Sequence, residues 1–387
     1  MKGKQLAILT LVAVILVALA FASKRRQAGR NPVSAGRKIL PELAVNDVQS
    51  ILIQAPDGTA TVARTEGLWR VAERFQYPAD FDKVRNLLNK LAELKSLQTV
   101  RATPRQRTEL RLAPDAAAGA DGQPTVLTLR NASGRTMETL WLGKERMPQQ
   151  AMEAGPYGGY PDGRFVATSK GDVFLAGDPL DVVLSSPRSW MDEEFVTIPA
   201  EEVLAIEVSG VTNGAIRLSR TDGAKPFALP SVPEGKEADA DKLSRLASAL
   251  AYLRFEDVAP PNTSPAAAGL DKPVTFTATT SKGVTCTLRI GRPTAPEGRY
   301  HAAVAMSFTP PPAPAATAEA ASTNATAKAR EEQDAKTAAH VARLSEKLSP
   351  WTYVLGKYEA ETLVMGYSDL LKEKSAPETS QPESTHP

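Results

Sequence analysis

The stretch Ala79–Lys95, Ala-Asp-Phe-Asp-Lys-Val-Arg-Asn-Leu-Leu-Asn-Lys-Leu-Ala-Glu-Leu-Lys, occurs again at Ala238–Arg254 as Ala-Asp-Ala-Asp-Lys-Leu-Ser-Arg-Leu-Ala-Ser-Ala-Leu-Ala-Tyr-Leu-Arg. The two copies align without gaps, and apolar residues recur in both at intervals of three and four. This spacing is typical of one apolar stripe along a helix. Each copy starts with Asp-x-Asp, which supplies an N-cap oxygen and negative charge at the helix start. The repeat predicts one amphipathic helix in each of two related units.

The sequence around each helix is repeated as well. Val48–Gln54 matches Val203–Ser209, and Pro124–Gly143 matches Pro273–Gly291. These stretches alternate apolar and polar residues around glycine-containing turns, which indicates β-hairpins. We therefore expect an α+β protein with two tandem copies of a β-hairpin-rich unit, each carrying one amphipathic helix, preceded by one transmembrane helix. Trp190 and Trp351 close the matched regions and are expected to be equivalent core residues.

The amino-terminal segment Met1–Ser23 has the features of a membrane anchor. Residues 6–22 carry no charge, and about 17 residues at 1.5 Å each reach roughly 25 Å, close to the thickness of a bilayer core. A signal peptide cleaved after Ala22 is the alternative, but the apolar run is longer than a usual signal core. Basic residues flank both ends of the segment, and those on its carboxyl side favour a cytoplasmic location for that side. Orientation therefore stays open at this point.

Composition shifts predict the domain boundaries. We expect a linker at residues 24–45, a first unit at 46–194 and a second unit at 195–372. The second unit contains a Pro/Ala-rich insert and a polar helix at 308–348, and residues 373–387 form a disordered tail because they are rich in Ser, Pro, Glu and Thr.

Charge and cysteine content limit the function. A net charge of +2 gives no case for nucleic acid. The one cysteine, Cys286, excludes an intrachain disulfide and a multi-cysteine metal site, and its alternating context predicts a buried residue.

No catalytic, cofactor-binding or metal-binding constellation is found in the sequence. The three histidines are scattered, and no nucleophile-elbow, zinc-protease or P-loop motif occurs. The acidic runs Asp192–Glu194 and Glu201–Glu202 are interpreted as solvated faces, because neighbouring acids in a chain point apart. Tyr157 and Tyr160, in a glycine-rich loop, are the candidate contacts for a ligand or partner.

One stretch has a more specific pattern. Leu68-Trp69-Arg70-Val71-Ala72-Glu73 is followed by Tyr77-Pro78-Ala79-Asp80 and then by the leucine-rich helix. Here the chain resembles the bacterial domain of unknown function family numbered 4340. The resemblance implies a single-pass membrane protein, often encoded beside subunits of gliding-type ABC transporters, and it implies no catalytic residue.

These observations lead to an expected function and two alternatives. We expect a non-enzymatic accessory or scaffold protein of an ABC transport system, held in the cytoplasmic membrane by residues 6–22 with the bulk of the chain outside the cytoplasm. Its expected partners are permease or accessory subunits. An envelope module that binds glycan or peptide through Tyr157 and Tyr160 is the alternative, and a hydrolase is a third.

Overall fold

The computed structural model describes residues 36–113, 123–148, 159–294, 298–312 and 324–374. These ranges are mostly β-sheet with a few helices, which confirms the α+β class. The chain divides into two compact units after Asp192, close to the expected boundary at 194. The expected membrane segment at residues 1–23 lies outside the described ranges, and no helix within them has the length and apolarity needed to cross a bilayer.

The first unit is built on one antiparallel sheet with the strand order β4-β3-β2-β1-β6-β7-β8-β9-β5. Its elements in chain order are β1 (Ser50–Ala55), β2 (Gly58–Thr65), β3 (Leu68–Val71), β4 (Tyr77–Pro78), α1 (Phe81–Glu93), β5 (Ser96–Val100), α2 (Pro104–Glu109), β6 (Thr125–Arg130), β7 (Thr136–Arg146), β8 (Gly163–Thr168) and β9 (Val173–Ala176).

The second unit has a sheet with the order β11-β10-β14-β15-β16-β17-β13 and a separate pair, β12-β18. Its elements are β10 (Val203–Ser209), β11 (Ile216–Ser219), β12 (Lys236–Ala238), α3 (Ala240–Ser248), β13 (Phe255–Val258), β14 (Val274–Thr280), β15 (Val284–Ile290), β16 (Tyr300–Phe308), α4 (Asn324–Leu348), β17 (Thr352–Leu355), α5 (Lys357–Leu363) and β18 (Leu371–Glu373). β18 includes Glu373, and the amide of Lys374 donates to the carbonyl of Gly235 at 3.0 Å, so the expected disordered tail starts two residues too early. Residues 375–387 lie outside the described ranges.

The strand order is the same in both units. Written from one edge, β2-β1-β6-β7-β8-β9-β5 corresponds position by position to β11-β10-β14-β15-β16-β17-β13. The amphipathic helix also has the same place in both units. It directly precedes the strand at the end of this order, α1 before β5 and α3 before β13. The sequence repeat is thus matched by a repeat of topology.

Helices α1 and α3 bury the predicted leucine stripe. Val84, Leu87 and Leu91 are fully buried in the first unit, and Leu243 and Leu246 are buried in the second. Helix α3 is shorter than expected, because the chain leaves the α-helix at Ala249 and continues as turns. Its last two stripe leucines are still buried, and they are held by the turns that follow: Leu250 and Leu253.

An aspartate caps each helix as predicted. The Asp80 carboxylate accepts hydrogen bonds from the amides of Asp82 and Lys83 at 2.9 and 3.1 Å, and Asp239 accepts from the amide of Lys242 at 3.1 Å. The lysine in each copy donates to a backbone carbonyl at the end of its own unit, Lys83 to Ser189 at 3.0 Å and Lys242 to Asp369 at 2.7 Å. The repeated Asp-x-x-Lys therefore joins the helix start to the unit's carboxyl-terminal segment.

Loss of the cap should weaken the first unit. We expect Asp80→Ala to lower the free energy of unfolding by about 1 kcal/mol, because two helix amides lose their acceptor. Asp80→Asn keeps a capping oxygen and should lose much less. Urea denaturation of the full chain measures both variants; equal losses would mean that the charge, and not the cap, is what matters.

The expected equivalence of Trp190 and Trp351 is wrong. The amide of Asp80 donates to the carbonyl of Trp190, and the amide of Asp239 donates to that of Leu370, both at 2.9 Å or less. Leu370, not Trp351, therefore holds the place of Trp190 in the second unit. Trp351 directly precedes β17, the counterpart of β9. The sequence match failed because the second unit has a long insertion before this tryptophan.

Candidate functional site

The structure describes one of the two candidate tyrosines. Tyr157 lies outside the described residues. Tyr160 is 90% exposed on the chain that leads into β8. Their role as ligand or partner contacts therefore stays a prediction.

Glu194, the last residue of the acidic run Asp192–Glu194, belongs to an ion cluster within the second unit. Glu194 accepts from the Arg343 guanidinium through two hydrogen bonds of 2.6 and 3.0 Å and from the Lys347 ammonium at 2.8 Å. Both cations belong to α4, whose apolar edge, Val341, Leu344 and Leu348, is buried. The cluster thus holds the inserted helix against the start of its unit, so Glu194 is more than part of a solvated face.

This cluster should make the second unit sensitive to acid. The hydrogen bonds from Arg343, with smaller contributions from Lys347, lower the pKa of Glu194 to about 2. A carboxylate with a lowered pKa stabilises the fold above its usual pKa, and this contribution disappears as the pH falls towards 2. At neutral pH we expect Glu194→Gln to cost about 1 kcal/mol or less, since the pair is partly exposed to solvent.

Unfolding measured between pH 6 and 2 tests this expectation. The difference in stability between wild type and Glu194→Gln should shrink as the pH falls below about 4.5. Glu201→Gln removes a nearby exposed carboxylate and is the matched control. A difference that stays constant over this range would contradict the role given to Glu194.

His301 and Cys286 lie on adjacent strands of the second sheet, β16 and β15. Burial lowers the pKa of His301, with a contribution from Arg299, and burial raises the pKa of Cys286 to about 12. Cys286 is fully buried, as predicted. Within the described ranges no three His, Cys, Asp or Glu side chains are placed to hold a metal ion.

A cleft of about 370 Å³ lies within the first unit. The chain at residues 37–43 forms one side of it, and the ends of β5, β7, β8 and β9 form the other. Its lining mixes apolar side chains with both signs of charge: Arg37, Lys38, Ile39, Leu40, Pro41, Glu42, Leu43, Thr99, Met137, Glu138, Thr168, Ser169, Lys170, Asp172 and Phe174. Pockets of this size commonly hold small ligands.

The segment at residues 36–39 is fixed to the edge of the sheet. The amide of Gly36 donates to the carbonyl of Ser96, the amide of Ser96 donates back to Arg37, and the amide of Ile39 donates to Leu94, all at 2.8 or 2.9 Å. Ile39 is buried, with 7% of its surface exposed. Residues 36–43 fall within the expected linker at 24–45, and the structure shows them as an ordered wall of the cleft.

Polar groups converge at the other wall. Glu138 accepts from the hydroxyl of Ser169 at 2.5 Å and from the amide of Thr139 at 3.1 Å. Lys170 reaches Glu42 across the cleft at 3.5 Å. Thr168 is 5% exposed, and its buried hydroxyl has no hydrogen-bond partner among the described residues. A buried hydroxyl of this kind is costly unless something else binds it.

Sequence reasoning missed this cleft. Thr168-Ser169-Lys170-Gly171 is a plain hairpin turn in the sequence, and nothing there places it beside residues 37–43. Only the sheet order brings together β5, β8 and the amino-terminal segment. The cleft residues can be recognised only from the register of the two sheets, which the structure provides.

Comparison with known proteins supplies the family. The family model described as "Domain of unknown function (DUF4340)" matches residues 69–273, more than half of the chain. This chain belongs to that family. The matched range begins in β3 with Trp69 and ends just before β14, so it includes the Trp-Arg-Val motif and both repeated helices. No curated protein and no solved structure matches the chain.

Proposed function

We propose that this member of the family is a membrane-anchored accessory protein of an ABC transport system, with its two sheet units outside the cytoplasm. One observation carries the proposal: the same seven-strand order occurs twice in one chain that begins with an uncharged apolar run at residues 6–22. Two similar rigid units in tandem suit a protein whose task is contact with partners. The transport context is what the family resemblance implies.

The proposal assigns no reaction to the chain. The polar clusters described above hold structural elements together, as Glu194 does with α4. A scaffold needs surfaces that keep their shape. The ion pairs that hold the inserted helix α4 in place contribute to this. A hydrolase would require a nucleophile and a base in contact. An activity screen of the full chain would test for hydrolysis.

Cysteine labelling tests the orientation. Tyr160 is 90% exposed and the native Cys286 is fully buried, so Tyr160→Cys introduces an accessible thiol over a low background. We expect a membrane-impermeant maleimide to label this variant in intact bacterial cells. Wild type is the control for background, and lysed cells give the maximum signal. Labelling only after lysis would contradict an extracytoplasmic location.

Co-purification tests the partner. The tagged full chain, extracted in mild detergent, should recover permease or accessory subunits of an ABC transporter identified by mass spectrometry. A chain without residues 1–23 is the control for recovery through the membrane segment. Recovery of no transporter subunit by the full chain would contradict the proposed role.

A further inference from the structure

The register of the two sheets shows which residues of the second unit correspond to the cleft of the first. One row of paired residues crosses the first sheet, Ile53-Leu127-Leu140-Thr168, and the matching row of the second is Val208-Phe276-Leu288-Val304. Thr168 therefore corresponds to Val304. The neighbouring rows give three more pairs: Glu138 with Cys286, Phe174 with Tyr353, and Thr99 with Val258.

The second unit covers this region with a helix. Helix α4 packs against β16, the strand that carries Val304, and the hydroxyl of Tyr353 donates to the carbonyl of Leu348 at the helix end at 3.3 Å. Val304, Cys286, Tyr353 and Val258 are all buried, at 4% exposure or less. The second unit thus fills the position with a closed apolar core.

The first unit has no such helix. A turn at residues 169–172 joins β8 directly to β9, and the cleft lies where the equivalent residues of the second unit are covered. Valine and cysteine are replaced there by Thr168 and Glu138. An apolar core is the cheaper solution for a buried position, since a hydroxyl or carboxylate must keep a partner. Polar residues at the uncovered positions indicate that the cleft holds something polar.

The charges of the cleft limit the chemistry of that ligand. Three cationic and three anionic side chains line it, and its lysines are already paired, Lys38 with Glu93 at 3.1 Å and Lys170 with Glu42 at 3.5 Å. No net charge is left to favour an anion or a cation. Carboxylate acceptors lie beside ammonium donors and hydroxyls, which suits a ligand rich in hydroxyl groups. The half-buried ring of Phe174 supplies an apolar surface for C–H groups.

We propose that the cleft of the first unit binds a neutral saccharide, with Ser169 and Glu138 hydrogen-bonded to its hydroxyl groups and Lys170 at its mouth. The cavity of about 370 Å³ is large enough for one or two sugar residues. Tyr160 does not line this cleft. It does not depend on the transport role, so either idea can fail without the other.

Binding to the full chain tests the proposal. The protein is kept in a detergent without a sugar headgroup, and saturation-transfer NMR and calorimetry are run with D-glucose, N-acetyl-D-glucosamine and chitobiose. Inorganic phosphate and triglycine serve as charged probes. We expect at least one saccharide to bind and neither charged probe to do so. Ser169→Ala should raise the Kd of that saccharide about threefold or more, because it removes an exposed hydroxyl that lines the cleft.

Matched variants separate the cleft from general effects. Ser133→Ala makes the same change at an exposed serine of another hairpin turn of the first unit that does not line the cleft, and Tyr160→Ala removes the exposed tyrosine; both should bind as wild type. Lys170→Met, on the exposed turn, should also weaken binding without risk to the core. Failure of every saccharide to bind wild type overturns the proposal, as does binding of a charged probe that depends on Lys170. Unchanged saccharide binding by Ser169→Ala overturns it too.

Discussion

Replacing Trp190 with alanine is expected to lower the free energy of unfolding of the first unit by about 3–5 kcal/mol, the usual loss for a large aromatic residue removed from a core. Trp190 is fully buried, and its indole N–H donates to the carbonyl of Leu184 at 2.8 Å. The variant would leave both a cavity and a part-buried carbonyl without its donor. Urea denaturation followed by hydrogen-exchange mass spectrometry measures the effect in each unit separately.

Trp351→Ala is the matched control. Trp351 is only half-buried and precedes β17 instead of closing its unit. It should cost clearly less than Trp190→Ala. Leu370, the residue that takes the place of Trp190, is fully buried, so Leu370→Ala should destabilise the second unit more than Trp351→Ala does. Equal losses for the two tryptophans would restore the equivalence that the sequence match predicts and the structure contradicts.

Adding one methyl group at Gly143 or Gly291 should cost about 1–3 kcal/mol in each case, because both glycines lie against backbone that has no free rotamer to move. A Cβ on Gly143 would lie 2.2 Å from the carbonyl oxygen of Leu110, and one on Gly291 would lie 2.3 Å from that of Ala268. The two glycines are repeat equivalents: each is the last residue of its matched stretch, Gly143 within β7 and Gly291 directly after β15. Thermal or urea unfolding of Gly143→Ala and Gly291→Ala measures the loss.

Gly177→Ala separates this contact from the general effect of replacing glycine. A Cβ there would meet only the Leu97 side chain, at 3.2 Å or more, and that side chain can shift. We expect this variant to lose much less stability than Gly143→Ala. Equal losses at 143 and 177 would show that the close approach to the Leu110 carbonyl is unimportant.

The repeated helix was predictable because its causes are local. A leucine stripe with a period of about 3.6 residues and an aspartate cap act within a few residues of one another, and α1 and α3 both bury that stripe behind a capping aspartate. The hairpins β6–β7 and β14–β15 were predictable for the same reason, since their alternation and turn residues are adjacent in sequence. The position of Trp351 was not predictable, because the insert and the 25 residues of α4 lie between β16 and β17.

The candidate cleft depends on contacts between distant parts of the chain. Residues 37–43 meet Thr168–Asp172 only because β5 lies at the sheet edge beside β9. The hydroxyl of Thr168 becomes buried without a partner through that packing, and its equivalence to Val304 is read from strand register. No short-range pattern in the sequence contains this information.

The amino-acid sequence by itself determined the repeat, the two capped helices, their hairpins and the apolar amino-terminal run, since each rests on the order of neighbouring residues. The tertiary structure alone decided that Leu370 takes the place of Trp190, that Glu194 holds α4, and that the first unit has an open polar cleft where the second has a closed core. The physical reason is that sheet order and register bring together residues more than a hundred positions apart. The contacts and the burial of these residues therefore depend on the whole fold and not on their sequence neighbours.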